Sequence, residues 1–416
     1  MYAHHRYPPS FYWRSFMITV GIDVSKGKST VAAMKPDGEI VFPPFDVTHS
    51  ANALGDLADS LRALGEDVRI ALEHTGKYHQ PIARYLSDAG LFVSVINPKL
   101  IHDFGNNSIR NVKTDPADAM KIASYAIIHW NDLERYSSED DTRLLLKTYC
   151  RQFYKYSEIK TSLKNNLISI LDQSFPDCNT FFTSPVRSDG HQKWIDFAGR
   201  FWHCDCVRKY SLSRFTSVYN SWCKRNGYSA SEKKALQIYT SAKGSIPSLP
   251  CSEGTKLLVN DAASQINFIS ASMMSLLSVM DDLASRLPEY PVVSSMPGIG
   301  PVLTPQLIGE IGDVRRFHNK KALVAYAGVD APPYQSGNFN SSHRHITKRG
   351  SGNIRRVTFQ AARCIILVKN TDDPVFRFID KKRAEGKPYR VYMIAGCNKL
   401  LRTYYGRVIE YLNTIS

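Results

Sequence analysis

The sequence predicts an α/β unit over its first third and a mostly α-helical remainder, the class α/β plus α. Three observations carry this. The stretch MITVGIDVS alternates Ile18, Val20, Ile22 and Val24 as a strand does. Short apolar runs and amphipathic stretches then alternate as far as residue 128. Beyond residue 140, leucines and methionines recur every three or four residues, the period of helices packed along one face.

In order, two strands follow the first, around Thr30–Met34 and Glu39–Phe45, with Pro36-Asp37-Gly38 as the turn between them. A helix near Ala51–Leu64, a strand Val68–Leu72, a helix Pro81–Ala89 and a strand Leu91–Val95 come next. A helix from Thr114 to about Ile128 closes the unit. Three meandering strands followed by alternating helices and strands is the order of an RNase H-like domain. From Thr142 to Leu171 and again from Ala262 to Leu287 the chain reads as two arms of a coiled-coil-like helical stalk. Between the arms, Phe175–Cys251 is rich in aromatics and cysteine and is expected to be a small helical insertion. The expected domains are therefore 17–135, 140–290 (insertion at about 175–251) and 291–416. The first sixteen residues show no periodicity and are expected to be disordered and dispensable.

Charge divides the chain unevenly. The net charge is +15, and Arg315–Ser416 holds 20 Lys/Arg against 6 Asp/Glu, leaving 33 against 32 for everything earlier. A basic block of this kind is an electrostatic footprint for phosphate, and no long basic amphipathic helix turns it into a membrane surface. Eight cysteines without paired spacing exclude a disulfide scaffold. His203-Cys204-Asp205-Cys206 suggests a metal, but no second cysteine pair follows at zinc-finger spacing, so buried free thiols are expected. With no leader-like apolar core and no uncharged apolar run near 18 residues, a cytoplasmic protein without a membrane span is expected.

Four carboxylates stand out. Asp23 lies inside the first strand, on the face opposite Ile22 and Val24, and Glu73 ends the strand VRIALE. Asp115 and Asp118 open a helix in KTDPADA, three apart and so on one face. Phosphodiester chemistry uses such a set to hold divalent ions, Mg²⁺ (or Mn²⁺), beside the reacting oxygens. Asp115 and Asp118 also suit a helix N-terminus capped by Thr114 without any metal. An unpaired carboxylate within a strand is costly, and together with this helix it favours metal binding.

Gly21–Ser29 (GIDVSKGKS) mimics a phosphate loop, but five residues separate its glycines where four are required. In SMPGIGPVLTPQLIGEIGD, Gly298 and Gly300 resemble a helix-hairpin-helix turn that meets backbone phosphate; a plain Gly/Pro turn reads equally well. Ser336 lies in a Gln-Ser-Gly turn, followed by Lys348, Arg349, Arg355 and Arg356. A serine among cations suits attack on phosphorus, and equally a loop serine beside a phosphate patch; Ser341, Ser342 and Ser351 have the same chemistry.

GIDVSK, ALEHTG, KTDPADA, MPGIGPV, YAGVDAPPYQSG and ITKRGSGNIRR, in this order, resemble the DEDD insertion-sequence transposases over residues 17–130 and 290–370. The resemblance implies a RuvC-like domain whose acidic residues are Asp23, Glu73, Asp115 and Asp118, and a C-terminal transposase domain whose catalytic serine is Ser336. It implies a phosphoserine link to DNA, a composite active site, and a bridge (or seeker) RNA that selects donor and target DNA. A homo-oligomer, dimer or tetramer, is expected. The alternatives are a metal-dependent junction nuclease with Ser336 structural, a nucleic-acid-binding protein on an inactive fold, and an actin-like ATPase. The last leaves the C-terminal charge unexplained.

Overall fold

The computed structural model describes residues 17–65, 67–105, 114–136, 140–332, 335–336, 339–340 and 345–415. The N-terminal sixteen residues, expected above to be dispensable, lie outside the described residues. The chain divides into two compact units, 1–138 and 139–416, and the stalk, insertion and C-terminal helices all belong to the second.

The first unit is built on five strands, β1 (Met17–Val24), β2 (Lys28–Met34), β3 (Ile40–Thr48), β4 (Asp67–Glu73) and β5 (Phe92–Ile96), in the order β3-β2-β1-β4-β5. The β1–β2 and β2–β3 pairs are antiparallel; β1–β4 and β4–β5 are parallel. This is the RNase H-like order expected from the sequence. Gly38, at φ +92°, makes the β2–β3 turn where a side chain would be strained. One face of the sheet buries Ile18, Val20, Ile22, Ile70 and Leu72 against α1 (Ala51–Arg62, capped by Ser50) and α2 (His79–Asp88). A helix absent from the sequence reading, α3 (Pro98–Gly105), follows β5. On the opposite face of the sheet lies α4 (Asp115–Ile128), whose Ile122, Tyr125 and Ala126 pack on Ala71.

In the second unit, α5 (Asp141–Ser174) and α10 (Glu253–Ser285) lie along each other as the two stalk arms, each roughly 50 Å long. Both start on side-chain caps, Asp140 and Ser252. One expectation needs correcting: α10 is long and apolar enough to cross a membrane, because serines rather than charges punctuate Ala262–Met280. Here it packs on α5 and on neighbouring helices.

The insertion is helical as expected, with α6 (Lys193–Arg200), α7 (Asp205–Arg208), α8 (Leu212–Arg225) and α9 (Glu232–Gly244). Its aromatics form a core: the Phe197 ring has those of Phe181, Phe182, Phe201, Tyr219 and Trp222 within 4.7–6.3 Å. They are spent on burial.

The C-terminal part contains α11 (Tyr290–Ser294), α12 (Leu303–Ile311), α13 (Lys320–Ala327), a two-stranded hairpin of β6 (Gln335–Ser336) and β7 (Phe339–Asn340), then α14 (Gly352–Val368), α15 (Pro374–Ala384) and α16 (Tyr389–Ile415). Every residue of α12 is buried, so it forms the centre around which α5, α10 and α14 pack. A buried ion pair joins Arg143 of α5 to Glu289 just before α11, with Arg143 Nη2 donating to Glu289 Oε2 at 2.9 Å.

Candidate active site

Asp23 stands on the central strand, and the face it shares with Gly21 and Thr19 is the one α4 covers. Contact there is close. A Cβ on Gly21 would lie 2.1 Å from the Ala119 carbonyl oxygen and 2.4 Å from the Ala123 nitrogen. The Thr19 hydroxyl donates to the Ala123 carbonyl at 3.1 Å. Glycine at 21 and alanines at 119 and 123 therefore let helix backbone meet strand backbone, which draws the first turn of α4, and so Asp115 and Asp118, towards Asp23. Glu73 arrives through register: Ile22 pairs with Leu72 in parallel, so one step further along both strands stand Asp23 and Glu73.

The electrostatics agree with this placement. The Asp23 carboxyl is pushed up from its ordinary 3.8 to about 6, first by burial and then by the charges of Asp115, Asp118 and Glu73; a backbone hydrogen bond at Val24 opposes this. Among the described residues no Lys or Arg forms an ion pair with Asp23. A half-buried carboxylate facing three like charges has the donor chemistry of a divalent-cation site. The structure thus brings Glu73, Asp115 and Asp118 within electrostatic reach of Asp23. Thr114 is the cap of α4, its hydroxyl accepting from Ala117 N–H at 3.4 Å, so neither aspartate is needed for that role. The sequence places Gly21 in the first strand, in the GIDVSK motif and in a rejected phosphate loop, without a packing role. Its real signal was the facing pattern of small residues, Ala119 and Ala123 four apart.

Among the described residues, a different group has ligand atoms all within 4.8 Å of one another: His203, Cys204 and Asp205. Backbone groups already occupy both ring nitrogens of His203. Nδ1 accepts from Asp205 N–H at 3.1 Å, and Nε2 lies 3.2 Å from the Leu249 carbonyl, to which it donates. Arg208 holds Asp205. This is a satisfied turn at the start of α7, in line with buried free thiols.

In the C-terminal part, Ser336 belongs to β6 and pairs with Phe339, so it flanks the hairpin turn instead of sitting in it. Its side chain, together with Ser341 and Ser342, lies outside the described residues. Ser351 is the cap of α14, accepting from Ile354 N–H at 3.3 Å.

The four nearby cations separate by use. Lys348 and Arg349 are exposed, and no ion pair involves them among the described residues. Arg355 Nη1 donates to the carbonyls of Ala327 and Gly350, both at 2.9 Å, clasping the two segments. Arg356 stacks on the Tyr154 ring of the stalk. Gly350 is required there, since a Cβ would lie 2.0 Å from the Tyr326 carbonyl oxygen. Gly298, at φ +74°, fits tightly against Ile365 of α14, whereas Gly300 is exposed with open space around it.

An RNase H-like sheet with carboxylates gathered beside its central strand defines the class of phosphodiester-processing enzymes that work with divalent cations. A family model described as "Transposase" matches residues 20–176, and one described as "Transposase IS116/IS110/IS902 family" matches residues 290–376. The chain belongs to this family of insertion-sequence transposases and is a DNA transposase/recombinase. It is 23% identical over 371 residues to the insertion element IS116 uncharacterized 44.8 kDa protein of Streptomyces clavuligerus, covering 89% of each chain. It is 22% identical over 339 residues to the pilin gene-inverting protein of Moraxella lacunata, covering 81% of this chain and 79% of that one. Thermus thermophilus RuvC superposes with a TM-score of 0.22 at 13% identity, covering 28% of this chain and 96% of RuvC. The fold assignment rests on the strand order.

Proposed function

We propose that this transposase exchanges DNA strands through a covalent serine link, under the guidance of an RNA that pairs with donor and target DNA. The observation that carries the catalytic half of this reading is the gathering of Glu73, Asp115 and Asp118 around Asp23, which pushes the Asp23 carboxyl up to about 6. These residues would hold Mg²⁺ (or Mn²⁺), which when bound supplies positive charge for the phosphoryl oxygens.

The Ser336 hydroxyl attacks a DNA phosphorus, its proton passing to the leaving DNA oxygen. One phosphodiester becomes one phosphoserine ester plus a free DNA hydroxyl. A hydroxyl of the incoming strand then attacks the ester, restoring a phosphodiester and returning the serine. Bond number is conserved at each step, so no ATP is needed. Lys348 and Arg349 are suited to neutralise the phosphate, and exposed Gly300 to meet backbone phosphate. Arg355, Arg356 and Gly298 support the fold around them. The guiding RNA is supported by the motif resemblance and by the basic C-terminal region; a homo-oligomer, dimer or tetramer, belongs to the same reading.

The test is a denaturation-resistant protein–DNA adduct formed with DNA, copurified RNA and Mg²⁺. Ser336→Ala should bind both nucleic acids and form no adduct, and Asp23→Ala should also lose the adduct while leaving Ser336 in place. Efficient cleavage by Ser336→Ala, with free ends and no adduct in the wild type, would leave a water-using junction nuclease instead. Sequencing the copurified RNA should yield one discrete structured species; a random sample of cellular RNA would remove the guide.

A further inference from the structure

Outside the acidic site, a cleft of about 1390 Å³ opens between α13 and α16. Its lining includes five cations: Lys320 and Lys321 from the start of α13, and Arg390, Lys399 and Arg402 from α16. None of these forms an ion pair or a side-chain hydrogen bond among the described residues. The single carboxylate in the lining, Asp330, is engaged by the Thr347 hydroxyl at 2.6 Å. The same lining has apolar side chains, Val324, Phe378, Val391 and Ile394, and Val391 is 52% exposed. Cations without ion-pair partners among the described residues, beside exposed apolar side chains, answer two needs at once, phosphates on the charges and flat apolar faces on the side chains between them. A duplex offers phosphates but keeps its base faces stacked inside; an unpaired strand offers both.

The cleft is also tethered to Ser336. Pro332, His345 and Ile346 are all in its lining, and in sequence they flank the segment that carries Ser336. Pro332 and Ser336 are four residues apart in sequence, so their Cα atoms are at most roughly 14 Å apart.

We propose that the α13–α16 cleft binds an unpaired stretch of the DNA strand that Ser336 attacks, phosphates on its lysines and arginines and bases on Val391 and Ile394. This rests on the serine reading above for which strand is held, but not for the binding itself. Unpaired DNA held here would keep the scissile phosphate within reach of the hairpin.

The test is fluorescence anisotropy of the full chain, as Ser336→Ala to prevent covalent capture, with single-stranded DNA of about eight nucleotides. Lys399→Ala/Arg402→Ala should weaken binding at least tenfold and lower the salt slope by about 1.4, the release expected for two single-strand phosphate contacts. Ile394→Asp should weaken the single strand while leaving duplex binding unchanged. Lys320→Glu/Lys321→Glu, on exposed residues, guards against a folding defect and should behave as the first pair does. Unchanged single-strand affinity, an equal loss for duplex, or a loss confined to an RNA oligonucleotide of the same sequence would overturn the proposal. Wild-type adduct formation with unchanged binding by the variants would sink the cleft and spare the serine. Binding losses without any adduct at Ser336 would sink the serine chemistry, and with it the assignment to the attacked strand.

Discussion

Replacing Asp23 by asparagine should stabilise the metal-free protein at neutral pH. Moving a carboxyl from 3.8 to about 6 corresponds to roughly 3 kcal/mol once it is fully ionised. Asp23 is only half-buried, and solvent screening reduces this to about 1–2 kcal/mol. The sign follows from proton binding. Between these two values the folded state holds a proton that the unfolded state has released, so wild-type stability falls as pH rises through that window. The penalty is absent below 3.8 and complete above about 6. The amide introduced by Asp23→Asn cannot titrate. Thermal melts of the two proteins should therefore coincide near the low end and separate by roughly 3–6 °C at neutral pH, the variant higher.

A divalent cation should reverse the order. At a hundred times its dissociation constant, Mg²⁺ or Mn²⁺ would stabilise the wild type by about 2.7 kcal/mol and the variant by much less. A variant that melts lower than wild type in metal-free neutral buffer would refute the charge-repulsion argument. A wild type that gains nothing from either cation would refute the metal site.

Gly21→Ala should cost about 3 kcal/mol, near the top of the overpacking range, because backbone atoms of α4 would have to retreat; urea denaturation measures it. Thr114→Ala should cost about 1 kcal/mol and leave strand cleavage intact, whereas Asp115→Ala and Asp118→Ala should abolish cleavage at little cost in stability. A melt and a cleavage assay on the three variants separate capping from metal binding. Arg143→Met alone should destabilise by about 3–5 kcal/mol by stranding Glu289, and Arg143→Met/Glu289→Leu should recover most of it. A double variant as unstable as the single one would mean the pair is not the source of the loss.

Where local chemistry decides an element, the sequence was enough to find it. Alternation in β1, the turn at Gly38 and the Thr114 cap are all written in adjacent residues. Pro98–Gly105 was missed because eight residues give barely two turns, too few for a period to emerge beside a strand end. The insertion helices were placed but not delimited, since aromatics pointing inward from several short helices blur the 3.6-residue period. Each of the four acids could be suspected singly, Asp23 most strongly because a strand carboxylate is costly to bury. Their meeting could be read only through the family resemblance, because in the chain it depends on the parallel β1–β4 register and on the closeness that Gly21 permits. The cleft cations were hidden for a similar reason: Arg390, Ile394, Asn398 and Arg402 recur every four residues, but nothing in that spacing says that α13 lies opposite.

The charge count itself overstates how much of the C-terminal region faces phosphate. Arg315 is bound to the Asp313 carboxylate at 2.8 Å, and Arg316 lies 4.5 Å from the Phe317 and Tyr326 ring centres. Lys382 pairs with Glu385, Arg355 clasps backbone, and Arg356 stacks on Tyr154. Five of the 20 cations after Asp313 are thus committed to the fold. Seven others gather at two places, Lys320, Lys321, Arg390, Lys399 and Arg402 on the cleft and Lys348 with Arg349 after the hairpin. If those seven are the phosphate contacts, log K against log salt for the full chain should have a slope of about −5 to −6, set by roughly 0.7–0.9 per contact. Contact by all 20 would give about −14 to −18. A measured slope steeper than about −10 would therefore place much of the nucleic-acid surface outside these two clusters.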